Sequence, residues 1–294
     1  LSDQLYLHLG SSYSSLKFHQ KGLSSYAPSW SEGNGWEQVS AFFGFKYLFA
    51  SDLEVIGNLR YDDYSDFQNP ITYDFNLKAP MSKNLAAFAK HGISYAPPTA
   101  LDLYGIGPSS WYPGNLNLLA EESRNYEIGF SFFDDSLKTA LNLTYFHSEY
   151  KNKIDWTPKN VNQSNSSGLE FSLKNKFTDS FSLNSALTYM QSKNEDTGED
   201  FLSRRPEFFG SISTIYEKQK ITLGAQAFLR QNTKESNLVD ADDYAIFRIF
   251  KNFEVSEGLM LHSRIENLFD SQYEEVNGYP ALGRAIHAGF SYSF

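Results

Sequence analysis

The strongest constraint on this chain is an alternation that recurs from one end to the other. Ile71, Tyr73, Phe75, Leu77 and Ala79 interleave with Thr72, Asp74, Asn76 and Lys78. Val39, Ala41, Phe43, Phe45, Tyr47 and Phe49 repeat the pattern, and so do Ile286, Ala288, Phe290, Tyr292 and Phe294 at the C-terminus. Period two is the signature of a strand whose two faces meet different surroundings. It also marks 5–17, 53–61, 126–132, 137–145, 169–177, 181–189, 208–216, 221–229, 244–255 and 259–265. The segment 85–95 is weaker, because His91 falls among its apolar positions. The expectation is about 14 strands and at most one helical turn, near 99–104.

The connections decide what kind of sheet this is. Short turns fall at Ala50-Ser51-Asp52, Pro80-Met81-Ser82, Asp134-Asp135-Ser136, Thr178-Asp179-Ser180, Glu217-Lys218-Gln219 and Ser256-Glu257-Gly258. Long loops alternate with them at about 62–70, 96–122, 151–165, 192–204, 231–242 and 270–281. A soluble sandwich has no reason to keep short turns at one end and long loops at the other. An antiparallel transmembrane β-barrel does, with short periplasmic turns and long extracellular loops. A strand rising ~3.3 Å per residue and tilted ~40° crosses a ~25 Å apolar band in about ten residues, the length of these runs.

Composition agrees once the strands are recognised. Mean hydropathy is only −0.44, yet 16% of residues are aromatic, with 19 Tyr and 25 Phe. A barrel reconciles the two, since only every second residue meets lipid. No run approaches the ~18 apolar residues of a spanning helix. The net charge of −10 argues against a nucleic-acid partner. The absence of cysteine excludes disulfides and thiolate metal sites. The inward phase carries charges of both signs, namely Glu54, Asn58, Arg60, Asp74, Lys78, Glu127, Glu170, Lys174, Arg264 and Glu266, so the interior holds water or a polar object.

Chemistry-bearing motifs are few. Gly105-Ile106-Gly107 lacks the third glycine of a phosphate loop, since position 110 is Ser110, and reads as a loop turn. No nucleophile or acid–base constellation occurs, so the chain is not expected to be an enzyme. Glu195, Asp196, Glu199 and Asp200, and then Asp240, Asp242 and Asp243, form acidic clusters. They are solvated loop charge or a loop-bound Ca²⁺ site, and no other cofactor is implied. Arg204-Arg205-Pro206 marks a loop re-entering a strand. Tyr104, Trp111, Tyr112 and Asn115 lie deep in the longest loop and are the candidate ligand contacts, whereas Trp156 fits an interfacial girdle.

Ser94-Tyr95-Ala96-Pro97-Pro98-Thr99, Leu103-Tyr104, the run 113–118 and Asn125-Tyr126-Glu127-Ile128-Gly129-Phe130 resemble segments of TonB-dependent outer-membrane receptors. The ending carries the strongest likeness: Asn267, Leu268, Phe269, Asp270, Tyr273, Gly278, Tyr279, Gly283 and Arg284. Its form is similar to the vitamin B12 receptor branch, and siderophore receptors share most of it. His287, Gly289, Phe290, Tyr292 and Phe294 look like the C-terminal assembly signal of outer-membrane barrels.

The resemblance implies a location in the outer membrane of a Gram-negative bacterium. It implies active uptake of a scarce, bulky ligand, cobalamin first and a ferric siderophore next. It implies as partners outer-membrane lipid and lipopolysaccharide, the barrel-assembly machinery, and the TonB complex acting through an N-terminal plug. Family barrels have 22 strands around that plug, so roughly eight strands and the plug are expected to be missing here. The start, Leu1-Ser2-Asp3-Gln4-Leu5, has the look of a short turn and agrees. Two other readings remain at this point: a self-contained 14-stranded passive channel, and a surface-binding barrel that transports nothing. A ladder closing the first strand on the last would favour the channel.

Overall fold

The computed structural model describes residues 4–19, 35–106, 112, 114–154, 157–195, 197–199, 204–235 and 239–294. Its strands are β1 (Leu5–Lys17), β2 (Gly35–Leu48), β3 (Glu54–Tyr64), β4 (Ile71–Pro80), β5 (Leu85–Ala96), β6 (Glu121–Asp134), β7 (Thr139–Ile154), β8 (Asn160–Lys176) and β9 (Phe181–Asn194). They continue with β10 (Phe208–Lys218), β11 (Ile221–Gln231), β12 (Thr233–Lys234), β13 (Asp240–Ala241), β14 (Tyr244–Ser256), β15 (Leu259–Glu266), β16 (Glu274–Val276), β17 (Tyr279–Pro280) and β18 (Ala285–Tyr292). One helical turn, α1 (Ala100–Tyr104), follows β5 where the sequence allowed it.

Fourteen strands form a single antiparallel sheet in which chain order is sheet order, β1 through β11 and then β14, β15 and β18. No ladder joins β1 to β18 among the described residues, so the closed ring of a self-contained channel is not formed. The register is staggered as in a tilted barrel wall. One row of partners runs Tyr47, Val55, Leu77, Ala89, Ile128, Tyr145, Leu169, Tyr189 and Phe208. It starts at the turn end of β2 and finishes at the loop end of β10.

That row is the apolar face, and no protein layer covers it. Leu9 is 83% exposed and Ile286 and Phe290 are each 75% exposed. In water, each such side chain would forgo roughly 1.5–3 kcal/mol of burial. Lipid removes that cost, and this is the physical case for a membrane wall. Among the described residues the buried apolar side chains are Pro98, Leu103, Leu118 and Ala120, which lie not under the sheet but inside the loop between β5 and β6.

The turn end matches expectation. Asp52, Lys138 and Gln219 take left-handed backbone with φ of 60°, 47° and 51°, which lets each hairpin close in a few residues. Leu137 and Phe177 sit in these turns rather than in strands. The loop end departs from expectation in two ways. First, β7 and β8 run through most of 151–165, leaving only 155–159 between them. The 17 residues of β8 span roughly 40 Å along the barrel axis against a ~25 Å band, so this hairpin stands clear of the membrane. Second, the loops 231–242 and 270–281 contain small hairpins, β12–β13 and β16–β17.

Candidate functional site

The second face of every strand carries the polar set, paired across the ladder. Glu54 lies opposite Lys78 and Asn58 opposite Asp74. Lys90 Nζ reaches Glu127 Oε2 at 2.7 Å. Asp62 accepts from Gln38 Nε2 at 2.8 Å and from Arg60 Nε at 2.9 Å and 3.0 Å. This is a polar, ion-paired inner wall, as the alternation predicts.

At the loop end the inner wall opens into a vestibule. A cavity of about 830 Å³ is lined by Arg204, Glu266, Tyr273, Glu275 and Tyr279, among others. A second, of about 650 Å³, shares Arg204 and Glu275 with it and adds Arg230 and Tyr244. A third, of about 590 Å³, lies beside Arg205, Glu207, Lys234, Asp240, Asp242 and Asp243.

The basic groups of this vestibule are already engaged. Arg204 Nε pairs with the buried Glu235 at 2.7 Å. Arg230 donates to Thr233 Oγ1 at 3.0 Å and to the Glu275 carbonyl at 2.9 Å. Deeper in the wall, Arg248 and Arg264 share Glu266 Oε1 at 3.3 Å and 2.9 Å. Arg205 lies over the Tyr150 ring, 5.7 Å from its centroid. The Tyr244 and Tyr273 rings pack tilted at 43°, with centroids 4.3 Å apart. Burial first, then the Glu275 charge, holds the Tyr273 hydroxyl above its ordinary range, so it stays a proton donor.

Arg204 and Arg205 stand at strand re-entry, as their sequence suggests, but no local motif marks them, or Arg230 and Tyr244, as cavity-lining residues. The available signal was phase: Arg230 and Tyr244 face each other across β11 and β14 on the inward side, at the loop end.

The described candidate ligand contacts lie elsewhere, in the β5–β6 connection: Tyr104 ends α1, and Tyr112 and Asn115 follow it. Thr99 caps α1 with a capping box to Asp102. Tyr112 donates its hydroxyl to Asp102 Oδ1 at 2.9 Å, and its carbonyl accepts from Ile106 N at 3.0 Å. Burial, then the Asp102 hydrogen bond, raises the Tyr112 pKa. Asn115 donates to the Pro158 carbonyl at 2.9 Å and caps Asn117 N at 2.9 Å. The Tyr104 backbone passes beside Gly114, and Tyr112 and Asn115 use their polar atoms to hold the loop. Trp111, Trp156, Asp196 and Asp200 lie outside the described residues. Among the described residues no three carboxylates or histidines converge on a metal position. Asp242 and Asp243 instead accept from Glu274 N and Asn232 N, at 2.9 Å and 2.7 Å.

The motif 267–284 proves to be a clasp. Asn267 is 3% exposed. Its amide donates to the Ser271 and Leu282 carbonyls at 2.9 Å and 3.2 Å and accepts from Ser271 N at 2.9 Å. Leu268 N bonds the Phe247 carbonyl at 2.8 Å, and Phe269 packs edge-on against Phe247 at 5.1 Å. Asp270 accepts from Arg284 N at 2.7 Å, with the Arg284 guanidinium 3.8 Å away. A Cβ at Gly283 would lie 2.8 Å from Asp270 Oδ1, so a larger residue there would push the Asp270 side chain aside. Gly278, at φ 84°, turns the β16–β17 hairpin, and Tyr279 projects from it. On β18, Phe290 and Tyr292 share the outward face with Ile286. His287 and Gly289 pair with Arg264 and His262, and Phe294 stands exposed past the strand end.

Comparison with known proteins places this geometry. The family model described as TonB dependent receptor-like, beta-barrel, matches residues 2–268. The vitamin B12 transporter BtuB of Vibrio vulnificus is 27% identical over 252 residues, covering 81% of this chain and 40% of that protein. The ferric enterobactin receptor PirA of Pseudomonas aeruginosa is 29% identical over 293 residues, covering 80% of this chain and 38% of its own length. The crystal structure of a ferric enterobactin receptor from Pseudomonas aeruginosa, in complex with enterobactin, superposes with a TM-score of 0.82 at 20% identity. It covers 99% of this chain and 52% of that one. The chain therefore spans about 40% of the length of the curated relatives it matches.

Proposed function

From the premise that this chain belongs to the TonB-dependent receptor family, we propose that its protein is an outer-membrane receptor for active uptake of cobalamin. The relatives include transporters named for vitamin B12 and receptors named for ferric enterobactin. One observation favours the first. With Glu266 set against the Arg248 and Arg264 that share it, five acids line the vestibule (Glu207, Asp240, Asp242, Asp243, Glu275) against four bases (Arg204, Arg205, Arg230, Lys234). The arginines are moreover committed to protein acceptors or a ring face. Such a wall repels a polyanionic ferric catecholate and supplies hydrogen bonds suited to the neutral amides of a corrinoid. In this reading the loops capture the ligand, and the energised TonB complex acts through an N-terminal plug to open the path.

Titration calorimetry on the full-length protein in detergent tests the assignment. Cyanocobalamin binding that weakens severalfold in Tyr273→Phe, which removes a protonated hydroxyl donor from the vestibule, is the expected result. Ferric-chelate binding with no cobalamin binding would overturn the ligand and leave the family membership standing.

A further inference from the structure

We propose that the outer wall formed by β11, β14, β15 and β18 holds one phospholipid of the periplasmic leaflet. Its phosphate diester sits on the Lys251 ammonium, and one acyl chain lies in the adjoining groove. Lys251 lies on the lipid-facing phase of β14, between Leu223 of β11 and Ser263 of β15. The row toward the loops is apolar, with Ala225, Ile249, Ile265 and Ile286; the row toward the turns holds Ile221, Phe253, Leu261 and Phe290. Other charges on this face cluster near strand ends, such as Glu37, Asp63, Lys151 and Lys193 at the loop end and Lys218 at the turn end. Among the described residues Lys251 is the formal charge set between apolar rows, and no carboxylate pairs with it; its ammonium lies over the Phe253 ring, 5.8 Å from the centroid.

A lysine on a lipid-facing wall is disfavoured unless its head reaches the interface. Lys251 is five residues before Ser256 at the turn end. At ~3.3 Å per residue and a ~40° tilt it stands roughly 13 Å above the periplasmic rim. A side chain of ~6 Å pointing down brings the ammonium to roughly 7 Å from the rim, level with the Phe253 ring, where a headgroup phosphate drawn inward can meet it. A lipopolysaccharide phosphate lies in the opposite leaflet, out of reach. Beside Lys251 the wall is hollowed into a groove of about 500 Å³, where Ala225 and Ser263 are short between Tyr216, Leu223 and Ile249. The groove is apolar with a cation on its wall, which is the chemistry of an acyl chain joined to a phosphate. The proposal rests on the membrane-wall reading and not on the imported ligand, so failure of cobalamin binding leaves it intact.

The test is native mass spectrometry of the full-length protein extracted in mild detergent and re-equilibrated with phosphatidylglycerol. Wild type and Lys251→Arg are expected to retain one phospholipid under conditions that strip bulk lipid. Lys251→Leu and Lys251→Gln are expected to lose occupancy at least tenfold, with heat-modifiable gel migration confirming folded barrels. Equal retention in all four proteins would overturn the proposal. So would a dimer mass in place of lipid-bound monomer, which would make the groove a protein interface.

Discussion

Two long connections at the same end of this barrel are ordered by opposite means. The loop between β5 and β6 builds a miniature core, with Leu103, Leu118 and Ala120 buried beneath it. The connection between β15 and β18 has no buried apolar side chain among its described residues and is tied by Asn267, Asp270 and Arg284 instead. The first relies on non-directional burial, so many apolar replacements can serve. The second relies on directional bonds, so each position accepts few residues. That difference explains why the second region carries the sharper sequence motif.

Amide hydrogen exchange on the full-length protein can break or sharpen this contrast. The largest effect is expected for Leu118→Ala, where truncating a buried leucine should destabilise the β5–β6 loop by about 2–5 kcal/mol. Fast exchange should spread over 99–119 and leave 267–284 unchanged. Asn267→Ala comes next: it removes three hydrogen bonds at a buried position and should open the clasp by about 2–3 kcal/mol. If Asn267→Ala left the exchange of 268–284 unchanged, the clasp would be no clasp. Gly283→Ala should cost about 1–2 kcal/mol through its contact with Asp270, and Asp270→Ala in the same chain should relieve part of it.

The smallest effect lies at the opposite end, where both loops are irrelevant. The Lys138 ammonium, 2.7 Å from Asp179, holds that carboxyl below its ordinary range. A carboxyl with a depressed folded pKa stabilises above the unfolded value, and that contribution fades as pH falls through the folded one. Asp179→Asn should therefore differ from wild type only slightly at neutral pH, and the two should converge in acid. A pH series of urea midpoints would show it, and divergence in acid would refute the assigned sign.

The strands were legible because lipid writes a two-residue period into each of them. The period lost contrast where both faces meet water. Glu149, Lys151 and Gln163 carry β7 and β8 beyond the membrane without any apolar beat, so that stretch reads as loop in the sequence. The pairs β12–β13 and β16–β17 are too short to show a period at all. Tyr112 and Asn115 have the right residue types for a ligand, but sequence cannot say whether a hydroxyl or an amide is spent inside its own loop. Arg230 was hidden for the converse reason. On an inner wall full of charge, one more inward arginine is indistinguishable until the loops above it are in place.

The unbroken agreement between chain order and sheet order has a consequence for folding. Every ladder from β1 to β11 joins consecutive strands, and the turn-end hairpins close over only a few residues. Contact order is therefore low for an all-β protein, and loop-closure entropy is spread over many small steps. The wall can grow by zippering, one hairpin on the last. Among the described residues β1 and β18 carry no ladder to each other, so the long-range, entropically costly step left over is the pairing of each open edge.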